Sequence, residues 1–144
     1  MSFMPVECFL DTNILVYAAA GRGEDESKRL RALELIEERD FGLSAQVLQE
    51  FFVTVTRKSA VRLPVDEALD WIEQLEAFPI QPIDTGLVKI GVEISSRFQI
   101  SYWDGAILAA AQVSGATTLF SEDLSHGQAY GAVRVVNPFL DGGI

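Results

Sequence analysis

Three kinds of side chain in this 144-residue chain are equipped for chemistry: its carboxylates, one histidine and one thiol. His126 stands alone, which excludes a multi-histidine metal site and any mechanism needing two imidazoles. It lies between Ser125 and Gly127 in what reads as an exposed loop. Cys8 is the sole cysteine and sits in an apolar run, so it reads as a buried free thiol in a reducing compartment. No Ser–His–Asp or Cys–His arrangement is supported. Gly21-Arg22-Gly23 follows a helix, where a phosphate-cradling loop would open one. The carboxylates remain.

Asp104 has the most informative position of these. Asp104, Ile107, Leu108 and Ala111 share the spacing i, i+3, i+4, i+7, so the acid prolongs an apolar helical stripe. A carboxylate buried there must be hydrogen-bonded, paired or metal-bound. Ser101, three residues earlier, offers a competing role, a capping box closed by Asp104 on the Ser101 backbone. Asp11 directly follows an apolar run, and Asp11-Thr12-Asn13 supplies three candidate caps for the next helix. Glu50 falls just outside the face formed by Leu48, Phe51, Phe52 and Val55, where a glutamate is ordinarily solvated. In Ser121-Glu122-Asp123 either acid can face a site, and Ser121 can orient a carboxylate or cap the turn.

The elements that must position these acids follow from hydrophobic period and punctuation. Val6–Leu10, Phe41–Leu43, Pro79–Ile83, Ala116–Phe120 and Val133–Val136 read as short buried or extended strands. Between them lie expected helices at Ile14–Ala20, Glu24–Arg39, Ala45–Ser59, Pro64–Phe78, from Asp84 to about Phe98, and Ser101–Ser114. Leu30, Leu33, Leu35 and Ile36 mark the inner face of the second, and Val65, Leu69, Ile72 and Leu75 that of the fourth. Ser44 and Asp84 are predicted N-caps. The Ser101–Ser114 helix is apolar on nearly every side. Short apolar strands alternating with helices predict an α/β fold with a mostly parallel sheet. Ligands of such sheets bind beyond the C-terminal strand ends, and acids follow two of them.

Bulk properties set the outer limits. A single domain over residues 1–144 is expected, with 49% hydrophobic and 22% charged residues as in ordinary globular proteins. Apolar stretches of about ten residues are too short to span a bilayer, and Met1–Pro5 lacks the features of a secretory signal, so the expectation is cytoplasmic. The net charge of −10 opposes nucleic-acid binding by the surface as a whole. Basic residues nevertheless cluster twice, at Arg22, Lys28, Arg29, Arg31 and Arg39, and at Arg57, Lys58 and Arg62.

Taken together the motifs resemble a known family. Phe9-Leu10-Asp11-Thr12-Asn13 resembles the opening motif of PIN domains, and Ser44–Phe51 the helix with their second acid, here Glu50. Ser101–Ala106 resembles the segment of the third acid, Asp104, and Leu119–Leu124 that of the fourth, Asp123 or its neighbour Glu122. The match runs in order through Asn137-Pro138-Phe139, and the compactness resembles the VapC-like toxin ribonucleases of toxin–antitoxin pairs. The resemblance implies a three-layer α/β/α sandwich with a mostly parallel sheet of four to five short strands. It also implies an endoribonuclease dependent on Mg²⁺ or Mn²⁺, held by Asp11, Glu50, Asp104 and Asp123. Asp11 and Asp104 are the expected anchors, with Thr12, Asn13 and Ser121 in support; Ser121 stands where the family often has Thr. A cognate antitoxin and a homodimer are the implied partners. Crowded carboxylates repel, and a hard divalent ion with oxygen ligands relieves that repulsion.

Two other classes fit parts of this pattern. A receiver-type phosphoacceptor domain also places acids around Mg²⁺, but it wants paired acids early and a lysine after a late strand. Here Asn137-Pro138 follows the last strand, and Lys89 is the last lysine. A catalytically silent PIN-like interaction module is disfavoured by acids at all four places.

Overall fold

The structure is a computed structural model, and it describes residues 6–60 and 62–140. Met1–Pro5, read above for a secretory signal, lies outside the described residues. Six strands alternate with helices: β1 (Cys8–Leu10), α1 (Thr12–Ala20), α2 (Glu26–Glu38), β2 (Phe41–Ser44), α3 (Ala45–Val53), α4 (Val65–Leu75), β3 (Ile80–Gln81), α5 (Thr85–Phe98), α6 (Tyr102–Val113), β4 (Thr118–Phe120), β5 (Ala129–Tyr130) and β6 (Val133–Val136). A short 3₁₀ turn, Gly23–Asp25, precedes α2, and a π-helical turn, Thr54–Lys58, prolongs α3.

The sheet order is β3-β2-β1-β4-β6-β5. All pairings are parallel except β5 with β6. The expected count of four to five strands is corrected to six. The additional strand, β5, has only two residues and pairs back on β6 through Gly131, whose φ of 64° makes the tight turn that glycine permits. Two residues are too few to show a period in sequence.

β1 is buried on both faces, as its unbroken apolar run requires in a parallel sheet covered by helices. Phe9, Phe41 and Phe51 are fully buried, and Phe41 stacks on Phe78 at 4.1 Å between ring centroids. Each such side chain contributes about 1.5–3 kcal/mol on burial. Helices flank the sheet as an α/β/α sandwich: α6 lies against β2, β4 and β6 with α5 packed on it, while α1 packs with α2 and α3. Ser44 caps α3 through the Val47 N–H (3.1 Å), and Asp84 caps α5 through the Leu87 N–H (2.8 Å), as expected.

Two helical faces differ from expectation. On α2, Ala32 and Leu35 are the buried positions, while Leu30 is half exposed. On α4, Ala68 and Leu75 are buried, and Val65 and Leu69 face outward. Leu33, Leu35 and Ile36 of α2 and Ile72 and Leu75 of α4 still pack on the core, with the fully buried Ala32 and Ala68 beside them, so only the outer ends of the expected stripes differ.

The tightest approach joins α5 and α6. A Cβ on Gly105 would meet the Gly91 carbonyl oxygen at 2.7 Å and the Ser95 N at 2.9 Å, both backbone atoms that cannot step aside. Gly105 therefore sets the depth at which α6 seats, and with it the place of Asp104 beside it. Gly105→Ala is expected to destabilise the protein by about 1–3 kcal/mol, the usual range for an overpacked core. A urea midpoint equal to wild type in equilibrium unfolding would refute this close contact.

Candidate active site

The chain runs from β1 to β2 and β3 on one side, then crosses to β4 on the other. The sheet therefore reverses its winding between β1 and β4, and a crevice opens beyond their C-terminal ends. Leu10 and Phe120 are register partners there, and the Asp11 N–H continues the ladder onto the Phe120 carbonyl (3.0 Å). Asp11 and Ser121 thus leave adjacent strands side by side. Glu50 projects from α3, which begins at the end of β2, and Asp104 from the first turn of α6. Asp123 lies in the loop after β4.

Asp11 is the buried acid, with 3% of its surface exposed. Its Oδ1 accepts from the Thr12 N–H (2.7 Å), capping α1, and its Oδ2 accepts from the Ser121 hydroxyl (2.6 Å). Burial pushes its carboxyl up to about 6 against the stabilising pull of those two donors, and the charges of Asp123 and Glu50 add to the rise. Asp104, which prolongs the apolar stripe of its helix in sequence, is half-buried and not enclosed as that stripe suggests. The apolar stripe of α6 becomes fully buried only from Gly105 onward, one residue past it. Partial burial still raises its pKa, offset by the Ser101 hydroxyl and reinforced by Asp123 and Glu50. Ser101 caps α6 through the Asp104 N–H (3.1 Å), but among the described residues the Asp104 side chain returns no bond to the Ser101 backbone, so the capping box is half formed.

The other two acids are steered by neutral donors. Glu50 accepts from the Thr12 hydroxyl (2.8 Å) and from the Gln46 amide (3.3 Å), which also reaches the Trp103 carbonyl. Asn13 donates to Asp123 (3.1 Å) and, at longer range, to Asp11 (3.5 Å). The Ser121 hydroxyl accepts from the Asp123 N–H (3.1 Å), so one serine touches both Asp11 and the Asp123 backbone. Gln46, buried beside Glu50, was not anticipated; its position four residues before Glu50 on one helix was the available signal.

Glu122 belongs to a different network. The Tyr17 hydroxyl donates to its Oε1 (2.6 Å), and Lys28 forms an ion pair with its Oε2 (2.5 Å). Phe139 packs edge-on against Tyr17, and the Lys28 ammonium lies 4.9 Å from the Tyr17 ring centre. Glu122 is thereby held on the α1–α2 side of its loop. Cys8 is buried with its thiol pushed up to about 12, chiefly by desolvation, and is inert. His126 is exposed, its Nδ1 accepting from the Asn137 N–H (3.0 Å).

Thr12, Asn13, Glu50 and Asp123 line one side of a cleft of about 550 Å³, and Val53 and Lys58 line another part of it. Among the described residues, no three acidic, histidine or cysteine side chains converge tightly enough to close on one ion as they stand. Their chemistry nonetheless suits one. Asp11, Glu50, Asp104 and Asp123 take part in none of the four ion pairs among the described residues, and their partners are hydroxyl, amide and peptide groups. Uncompensated oxygen donors of this kind fit a hard divalent cation that keeps part of its water shell.

The raised Asp11 carboxyl has a direct consequence for stability. Its folded-state value near 6 exceeds the unfolded 3.8, so the fold binds the proton more tightly than the unfolded chain does. Stability from this group is full below the unfolded value and is lost as pH rises through about 6, a cost of roughly 3 kcal/mol at neutral pH. In EDTA, Asp11→Asn is expected to raise the melting temperature at pH 7.5 and to leave it nearly unchanged at pH 4. Scanning calorimetry at both pH values checks this, and an equal shift at both would contradict it.

Comparisons with known proteins follow the same geometry. The PIN domain family model matches residues 8–131. No curated protein sequence matches the chain. Among solved structures, a chain of a toxin–antitoxin complex from Klebsiella pneumoniae is similar at 20% identity and a TM-score of 0.70, over 92% of this chain and 98% of that one. FitAcB from Neisseria gonorrhoeae is similar at 24% identity and a TM-score of 0.61, over 92% of this chain and 98% of that one. VapC20 from Mycobacterium tuberculosis, described as a sarcin–ricin loop cleaving toxin, is similar at 17% identity and a TM-score of 0.64, over 81% of this chain and 92% of that one. With the family model covering most of its length and the same fold in these structures, the chain belongs to the PIN domain family.

Proposed function

We propose that this protein is a divalent-metal-dependent endoribonuclease that hydrolyses RNA phosphodiester bonds, acting in the cytoplasm as the toxin of a toxin–antitoxin pair. One observation carries the nuclease reading. Glu50 and Asp123 line one cleft at the sheet's switch point, and their charges are felt by Asp11 and by Asp104. No cationic side chain pairs with any of the four among the described residues, while Glu122 has its own lysine. An acidic site left without protein counter-charge is one built to receive a cation from solution.

Asp11 and Asp104 are the proposed anchors, with Glu50 and Asp123 as further or water-mediated ligands of Mg²⁺ or Mn²⁺. Such an ion supplies an activated water and offsets charge on the phosphoryl oxygens. The chain's own part is positional. The Ser121 hydroxyl and Thr12 N–H hold Asp11, the Thr12 hydroxyl holds Glu50, and the Asn13 amide spans Asp11 and Asp123. No histidine or nucleophilic side chain is required.

The toxin reading is supported by structural neighbours that include a chain of a toxin–antitoxin complex and a sarcin–ricin loop cleaving toxin. It brings a cognate antitoxin and a homodimer as partners. Exposed pairs Val65 and Leu69 on α4, and Val88 and Val92 on α5, are surfaces such partners would cover. Among the described residues no helix is long and apolar enough to cross a membrane.

Structured RNA should be cut in Mg²⁺ or Mn²⁺ and left whole in EDTA. Asp11→Asn and Asp104→Asn should each slow cleavage by more than about 100-fold, beyond the usual cost of losing a supporting partner. Metal-independent cleavage, or full activity in both variants, would overturn the proposal. The fourth ligand is tested separately: Asp123→Asn should lose about as much as Asp104→Asn, and Glu122→Gln less than about tenfold. A larger loss in Glu122→Gln than in Asp123→Asn would reverse that assignment.

A further inference from the structure

The cleft beside the acids does not end at them. Glu50, Val53, Thr54 and Lys58 line it at i, i+3, i+4 and i+8, so one helical face carries the wall from α3 into its π-helical turn. At a rise of about 1.5 Å per residue, Lys58 stands roughly 12 Å beyond Glu50 along that face. Val16, Tyr17 and Thr54 then form a wall shared with an adjoining cavity of about 150 Å³, which is also lined by Arg22, Asp25 and Ser59. Irregular π turns of this kind often occur at functional sites.

The ion pairs decide which cations are available along this path. Of the first basic cluster, Lys28, Arg29, Arg31 and Arg39 are each paired with a carboxylate of the chain itself: Glu122, Glu26, Glu34 and Glu7. Arg22 is the one member without an ion pair among the described residues, and it is exposed with Nη1 on the Gly21 carbonyl. In the second cluster none is paired among the described residues, and only Lys58 lines the cleft. The two basic side chains that line these adjoining cavities are therefore two that form no ion pair among the described residues. Between them Val16 and Tyr17 present apolar surface, and Tyr17 is held rigid by Glu122 and Phe139. Alternating cations and apolar surface is the pattern that binds a single-stranded nucleic acid, phosphates on the cations and bases on the wall.

We propose that the RNA strand runs from the four acids past Lys58 to Arg22, these two side chains neutralising phosphates that flank the scissile one. This rests on the nuclease reading and deepens it by giving the substrate a direction. A chain with net charge −10 repels RNA at large, so a local path of unpaired cations beside the acids is what makes approach favourable.

Binding and cleavage are read separately. Fluorescence anisotropy with a labelled, mixed-sequence single-stranded RNA is measured in the Asp11→Asn background, across a salt series. Cleavage is measured in the otherwise wild-type chain with Mg²⁺. Lys58→Ala and Arg22→Ala should each weaken binding several-fold and reduce the slope of log Kd against log salt by about 1. In cleavage, KM should rise with kcat held within about twofold, and Lys58→Arg should restore wild-type KM. Lys89→Ala, on the exposed side of α5, is the control and should change neither quantity. Wild-type affinity and salt slope in both alanine variants would overturn the proposal, as would an equal loss in Lys89→Ala. RNA that binds through Lys58 and Arg22 but is never cut would leave this path standing and sink only the nuclease.

Discussion

Everything at the crevice depends on one carboxylate kept in a place that disfavours its charge. Asp11 follows β1 without a break, so the ladder that pairs β1 with β4 carries it into the interior beside Ser121. A peptide N–H and a hydroxyl hold its two oxygens, yet burial still outweighs them and its carboxyl rises to about 6. A lysine or arginine in the same position would have relieved the strain and closed the site. Among the described residues the fold supplies no such partner, so relief has to come from outside, and this is the part given to the metal in the proposed function.

The topology explains why only small neutral donors surround it. Parallel strands are usually joined by crossover helices, and here α1 and α3 begin directly where β1 and β2 end, so their first turns lie at the C-terminal ends of those strands. Thr12 and Asn13 occupy the first turn of α1, which Asp11 caps by accepting from the Thr12 N–H, and from there their side chains reach Glu50 and Asp123. Short Ser, Thr and Asn side chains fix direction with few rotamers and add no charge. Gly105 serves the same end by another route, seating α6 against α5 at a depth no larger residue tolerates.

Much of this was legible in sequence, and the exceptions share a cause. Alternation of apolar strands with capped helices foretold the parallel sheet, because period and punctuation are local properties. Asp11 was legible as a strand-end acid for the same reason. Asp104 prolongs an apolar stripe yet is half-buried, because a helical stripe says which face an acid lies on, not where along the helix the neighbouring layer stops. The choice between Glu122 and Asp123 was closed to sequence: Tyr17 and Lys28, which engage Glu122, lie 105 and 94 residues away. Glu50 stood out only by family resemblance, since its partner Thr12 is 38 residues distant. Local chemistry can be read from a string; partners brought together by crossovers cannot.

The same distinction resolves the conflict between an acidic protein and a polyanionic substrate. Counting charges gives −10 and argues against RNA, but the count ignores which charges are already spent on each other. Four of the basic residues in the first cluster are consumed within the fold, one of them in drawing Glu122 away from the crevice. The Lys28–Glu122 pair therefore gives the acid next to Asp123 a cation of its own and leaves Lys28 engaged within the fold. Among the described residues, what remains is a set of acids without an ion pair, to which the proposal gives a metal, and cations without one, to which it gives phosphate. Net charge describes neither, because both are products of internal pairing.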